Sequence, residues 1–313
     1  MTAESIRRVE GRTQNDMDKS WISPPRHRVL KQGVVPLSEG LAAETAASAD
    51  HAYVTLVTNP DYLPGAEALL RSLKLTGTRA DLVVMHRGLQ PAHRARLRAH
   101  GARLVAADLL PTSERFDRAH ARDALHARAA FTRGGKPDFH TPLDNFVKLR
   151  LWQLDYERCV FVDADAVVLR SVEKLFELPE FCAAPNVYDG LDGFHRMNSG
   201  VFTARPDPRR FRDMLARLDQ PGVFWRRTDQ TFLQDYFPDW HGLSIHHNML
   251  QYVWINMPEL WSWEDIRILH FQYEKPWQDH DKAQLLRPLI DLWRAIAAGQ
   301  PVPDLAAQVR PAA

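Results

Sequence analysis

Three Asp-x-Asp pairs occur in the 313-residue chain, at Asp16/Asp18, Asp163/Asp165 and Asp279/Asp281. Only the middle pair directly follows an apolar run, Cys159-Val160-Phe161-Val162. Such a run reads as a buried strand, which puts both carboxylates at its carboxyl end. Residues i and i+2 of an extended chain point the same way, so both can face one bound cation. Two carboxylates sharing a buried strand end repel each other and lose hydration unless something positive neutralises them. A hard divalent ion with oxygen ligands is the natural partner. The plainer alternative is a polar turn capping neighbouring backbone.

Four further places carry residue types that could join such a site. The strand Ile266-Arg267-Ile268-Leu269 delivers His270 to another strand end, with Lys275 on the same short loop. A metal ligand and a phosphate-binding cation side by side would suit a metal pyrophosphate. A lone histidine is otherwise a satisfied core or surface side chain. In Asn198-Ser199-Gly200 a small polar turn enters a strand, and the glycine allows close backbone approach to a ligand. Asp229-Gln230 open a helical stretch, where an Asp is ordinarily a cap. Lys148 lies in residues 143–155, which read as an amphipathic helix, where a lysine is ordinarily solvated.

The elements that must position these residues alternate regularly. Residues 52–59 read as a strand stopped by Asn59-Pro60, and 63–77 as a helix closed by Gly77. Residues 81–86 form a second strand, 91–101 a basic helix with Pro at its start and Gly at its end, and 102–108 a third strand. This β-α-β-α-β order predicts an α/β fold with a parallel sheet and helices on its faces. Residues 111–143 read as a long surface excursion, 159–169 as strand, acidic turn and strand, and 282–298 as a closing helix. Residues 1–50 read as a flexible arm with one short helix, alternatively anchored by Trp21 and Ile22, and 300–313 as a disordered tail. Trp225, Trp240, Trp254, Trp261, Trp263 and Trp277 crowd the second half, as a sugar-stacking acceptor groove or as core aromatics.

Composition excludes several classes. Hydrophobic residues make up 45% and charged residues 25%, which is ordinary for a globular chain and not for a disordered or collagenous one. Forty Lys and Arg against 39 Asp and Glu leave a net charge of +1, which gathers neither nucleic acid nor anionic membrane. Two cysteines make neither a zinc knuckle nor a disulfide framework. No apolar h-region or membrane-length span stands in the sequence, so a cytoplasmic protein without a transmembrane segment is expected.

Taken in order, VTLVTN, PGAEALLRSL, DLVV, FVKLRLW, VFVDADAVVL, MNSGVF, TDQTFL and LHFQYEKPW make residues 52–278 resemble the glycogenin-like family 8 glycosyltransferases. The resemblance implies a GT-A fold, a Rossmann-like nucleotide-binding fold with a mostly parallel central sheet flanked by helices. It would fill one domain, 51–299, with a nucleotide-binding half (51–169) and an acceptor half (170–299). It further implies retaining transfer of a hexose from a nucleotide sugar, UDP-glucose or UDP-galactose, with Mn²⁺ or in its place Mg²⁺. Asp163, Asp165 and His270 would hold the metal, and Lys275 would reach the diphosphate. Leu56, Thr58, Asn59 and Tyr62 would hold uracil and ribose, with Ala164 against the ribose. Asn198 and Ser199 would meet the donor sugar. Asp229 and Gln230 would lie below it, with Lys148 near the donor. The acceptor, whether sugar, lipid, polyol or protein, is open, as is a homodimer.

The chain departs from the family pattern in several positions. The family pattern HFxGxxKPW reads here His270-Phe271-Gln272-Tyr273-Glu274-Lys275-Pro276-Trp277, one residue shorter and without the glycine. Val147 stands before Lys148 in place of Ser or Thr, Met197 replaces a common Phe, Pro60 follows Asn59, and no counterpart of the glycogenin tyrosine is evident. Two rival readings stand beside this one. One is a degenerate transferase that binds nucleotide sugar or a partner without catalysis. The other is a haloacid-dehalogenase-type phosphatase with Asp163 as nucleophile and Asp165 as acid/base.

Overall fold

The computed structural model describes residues 32–121, 142–220 and 228–300. Its centre is the predicted alternation. Strand β3 (His51–Val57), the helix Leu63–Leu75, β4 (Asp81–His86), the helix Pro91–Ala99 and β5 (Ala102–Ala107) follow one another. The three strands are parallel, with Val54 opposite Val83 and Met85 opposite Val105. The chain then returns past β3 and lays β6 (Arg158–Val162) parallel on its other side. Strand order therefore reverses between β3 and β6, and ligands of open α/β sheets bind at the carboxyl ends flanking such a reversal.

β6 is buried on both faces. Cys159 and Phe161 join one apolar layer with Phe146, Trp152 and Phe202, while Val160 and Val162 join another with Tyr53, Leu69 and Leu70. This two-sided burial is why its sequence is continuously apolar. β9 (Met197–Ala204) pairs antiparallel with β6, and β8 (Cys182–Pro185) and β10 (His241–Gly242) complete that side. Asn198 and Ser199 thus lie within a strand, not in a turn before one. A second sheet of three strands takes β7 (Ala166–Val168), β12 (Ile268–His270) and β11 (Met249–Leu250). It packs with the helix Arg287–Ala297.

Two expectations need correction. Residues 32–45, read as part of a flexible arm, form the hairpin β1 (Gln32–Ser38) and β2 (Leu41–Thr45), and β2 pairs antiparallel with β5. Trp21, Ile22 and the C-terminal tail lie outside the described residues. The segment 143–155 is not an amphipathic helix. One α-turn (Pro142–Asn145) runs into a 3-10 stretch (Phe146–Gln153), all eight of whose residues are buried.

The two departures have one cause. The buried Arg150 guanidinium donates to the carbonyls of Asp108 (2.6 Å), Leu109 (2.9 Å) and Glu39 (3.0 Å), and to Gln153 Oε1 (2.8 Å). Gln153 in turn donates to Ser38 Oγ at 2.7 Å. Polar side chains that read as a solvated face are buried because distant backbone satisfies them. The hairpin turn docks where it supplies one of those carbonyls. Among the described residues no helix is long and apolar enough to cross a membrane.

Candidate functional site

The acidic turn sits where β6 meets the strand reversal. Asp163 N–H donates to Gly200 O at 2.8 Å, which ties the turn to β9. His270 ends β12 opposite Ala166 of β7, and Phe271 N–H donates to Asp165 O at 2.9 Å. Two sheets thereby bring Asp163, Asp165 and His270 together, with one ligand atom from each lying within 4.8 Å of the others. His270 Nε2 is 3.2 Å from Asp165 Oδ1 and 4.0 Å from Asp163 Oδ2. Two carboxylates and one imidazole are a donor set for a divalent cation, and a cation between them would offset the repulsion of the carboxylates. The residues present fit such an ion.

Lys275 forms a close ion pair with Asp165 and donates to Phe271 O at 2.8 Å. Burial pushes the Asp165 carboxyl up, but the Lys275 ammonium outweighs it and holds it well below the usual carboxylate range. Asp163 goes the other way, because burial raises it more than Lys148 lowers it.

Behind this cluster lies a second one. Lys148, on the buried 3-10 stretch, places Nζ 3.1 Å from Asp163 Oδ1 and 3.0 Å from Asp229 Oδ2. It also donates to Ser199 O at 3.2 Å and lies 4.5 Å from the Phe161 ring centroid. Burial would push this ammonium down; Asp163 and Asp229 more than reverse it and hold it above the ordinary lysine value. Asp229 is only 3% exposed and accepts from Ser199 Oγ at 2.9 Å. It begins the helix Asp229–Tyr236, but Thr228 occupies the N-cap, so a capping role does not account for Asp229. Gln230 Oε1 accepts from Ser199 N–H at 3.2 Å.

Both clusters open into one cleft of about 270 Å³. Leu56, Thr58, Tyr62, Ala164, Asn198, Ser199, Asp229, Gln230, Lys148 and Lys275 line it together with Asp163, Asp165 and His270. Asn59 does not line it; its Oδ1 accepts from Asp61 N–H at 2.9 Å and caps the turn after β3. Two glycines permit the packing around it. A Cβ on Gly65 would stand 2.4 Å from Ala164 O and 2.6 Å from the Trp277 ring. One on Gly200 would stand 2.4 Å from the His270 ring. Neither contact leaves room for a side chain, so both positions need glycine for close approach.

Among the described residues the tryptophans follow the core alternative. Trp240, Trp254, Trp261, Trp263 and Trp277 pack on the apolar layers, and none lines the cleft. Trp225 lies outside the described residues. Aromatic lining comes instead from Tyr62, Tyr188 and Tyr273, with Tyr252 edge-on to Tyr273 at 5.5 Å. Tyr273 stands in the loop where the resemblance leads one to expect glycine, and it has φ 67°, the only positive φ at a non-glycine among the described residues. Asn145, Asn186, Thr228, Leu250 and Gln272 also line the cleft without having been singled out. None sits in a pattern of charge or spacing that sequence reading could use. For Tyr273 the missing glycine was the one available signal.

Residues 53–281 match the family model described as Glycosyl transferase family 8. Among relatives, UDP-glucuronate:xylan alpha-glucuronosyltransferase 1 of Arabidopsis thaliana is 29% identical over 74% of this chain and 33% of its own length. Glycogenin-2 of Homo sapiens is 32% identical over 71% of this chain and 40% of its own. The chain thus spans well under half the length of these relatives. Among solved structures, the galactosyltransferase LgtC in complex with donor and acceptor sugar analogs superposes with TM-score 0.56 at 15% identity, covering 80% of this chain and 98% of that one. At that identity the likeness speaks for the GT-A fold alone.

Proposed function

Since this chain belongs to glycosyl transferase family 8, we propose that it is a retaining hexosyltransferase that takes UDP-glucose or UDP-galactose with Mn²⁺ held by Asp163, Asp165 and His270. The observation that carries this reading is the meeting of that triad with the Lys148–Asp229 pair in one cleft at the strand reversal. Membership removes the phosphatase reading. The UDP moiety is supported by the relative whose name gives UDP-glucuronate as donor.

Cleaving a glycosyl–phosphate bond leaves negative charge on the diphosphate and positive character on the sugar. A divalent ion at the triad would supply Lewis-acid neutralisation of the first. Lys275 adds a fixed ammonium beside it. Asp229, paired with Lys148, offers its carboxyl group to the developing oxocarbenium or to a covalent adduct, oriented by the Ser199 hydroxyl. Leu56, Thr58 and Tyr62 form the wall on which uracil and ribose would lie.

The test is thermal stability with UDP, UDP-glucose, UDP-galactose, UDP-glucuronate and GDP-sugars, each with Mn²⁺ or EDTA. Ligand at ~100 times its dissociation constant should add about 2.7 kcal/mol. A Mn²⁺-dependent rise with one UDP-sugar, together with UDP release, supports the reading. No rise with any UDP compound overturns it. A rise without UDP release would favour binding without catalysis, the alternative to which Tyr273 in the shortened loop lends weight.

A further inference from the structure

We infer that Asn248, itself oriented by Asn198 and the Gly200 backbone amide, sets the tautomer of His270 and thereby makes it a metal ligand. The inference rests on the metal reading above for its consequence, but not for its geometry. The relay starts from a donor that cannot be reversed. Gly200 N–H points at the Asn198 side chain at 2.8 Å, so the atom it meets must be the amide oxygen. Asn248 approaches that same oxygen at 2.8 Å and must therefore present its NH₂. The other end of the Asn248 amide is then its oxygen, and it lies 2.9 Å from His270 Nδ1. An amide oxygen only accepts, so Nδ1 carries the hydrogen. In a neutral imidazole this leaves a lone pair on Nε2, which faces Asp165 Oδ1 at 3.2 Å.

A lone pair and a carboxylate oxygen set against each other both call for a positive group between them. Ligating histidines are held in this way by a partner on the other ring nitrogen.

The relay is buried and occupied at both ends. Asn248 is 2% exposed, and Asn198 passes its own NH₂ to Asn186 Oδ1 at 2.9 Å. The absence of a side chain at Gly200 lets the imidazole lie against the strand that supplies the first donor. Asn198, read from the sequence as a donor-sugar contact, thus has its oxygen committed to Gly200 and Asn248. Asn248 does not line the cleft and is a positioning residue.

Two variants separate this role from a merely structural one. Asn248→Asp keeps an oxygen for Nδ1–H but loses the donor to Asn198, whereas Asn248→Leu keeps the volume and loses both. Both variants should be less stable than the native chain. Mn²⁺ titration followed by the electron paramagnetic resonance of the free ion should find affinity near native for Asn248→Asp. For Asn248→Leu it should be weaker by about 10–100-fold. Equal losses in both variants, or native affinity in Asn248→Leu, would overturn the proposal.

The second readout needs no metal. Long-range ¹H–¹⁵N spectra of the metal-free protein, at a pH where imidazoles are neutral and assigned with His270→Gln, should show His270 as the Nδ1–H tautomer. A neutral Nε2–H tautomer would overturn the relay. If the native chain binds no Mn²⁺, the metal reading fails and the spectrum alone decides the relay.

Discussion

Lys148 and Lys275 carry the same charge into the same cleft, and each faces one aspartate of the acidic turn. They are supported in opposite ways. Lys148 rides on a stretch buried on every side and bridges Asp163 to Asp229, with Ser199 O and the Phe161 ring around it. Lys275 stands on a loop two residues beyond the left-handed Tyr273 and pairs with one carboxylate, Asp165. The first lysine is part of the core. The second is a charge delivered to the cleft by a loop. A buried ammonium that bridges two carboxylates is a structural necessity, whereas one that pairs with a single carboxylate can be tuned.

The difference should be largest in stability. Lys148→Met strands the buried Asp229 carboxylate together with the half-buried Asp163 and should cost about 3–5 kcal/mol in denaturant unfolding. Adding Asp229→Asn should recover part of that, because one stranded charge goes with it. Lys275→Met strands one carboxylate, Asp165, instead of two, and should cost about 1–3 kcal/mol. Equal losses from the two lysines would break the comparison.

A second difference lies in acid. Burial holds the Asp163 carboxyl above the ordinary range, while Lys275 holds Asp165 below it. A proton competes with a metal for a carboxylate. As pH falls, Asp163 is therefore protonated first, and Mn²⁺ affinity should drop with uptake of a single carboxylate proton while Asp165 is still ionised. Calorimetric titration in buffers of different ionisation heat counts those protons, and uptake of two carboxylate protons together would contradict the assignment.

The smallest effect concerns the loop. Tyr273→Gly and Tyr273→Ala remove the same ring contacts, but alanine still resists positive φ. The glycine variant should be the more stable of the two by about 1 kcal/mol in denaturant unfolding. Equal stability would mean that the loop relaxes out of the left-handed conformation once the ring is gone.

Legibility in the sequence followed the same division. The acidic turn was readable because Cys159 to Val162 are apolar in succession and the carboxylates come directly after them. His270 was readable because it ends a strand. Lys148 was quoted within a motif, yet its burial was not foreseeable. Lys148, Arg150 and Gln153 recur as polar residues among apolar ones, and periodicity alone assigns such residues to solvent. Most of their partners, at Glu39, Asp108 and Asp229, lie far along the chain. Asn248 left no trace, because its role depends on which end of an amide faces which neighbour. The tryptophans were ambiguous for a related reason: an aromatic that suits a sugar face suits a core equally well.

The turn between β1 and β2 has a practical consequence for anyone shortening this protein. Gly40, at φ 73°, lies against the Arg150 guanidinium, where a Cβ would come within 2.5 Å. Arg150 is two residues from Lys148. Trimming the chain to the first parallel strand would remove this cover and hydrate the guanidinium from one side. It would also leave β5 as a bare edge, since β2 is what pairs with it. Unpaired edges recruit other chains. A version begun at residue 46 should therefore tend to clump and lose its grip on the segment carrying Lys148, while one that retains the hairpin should stay dispersed.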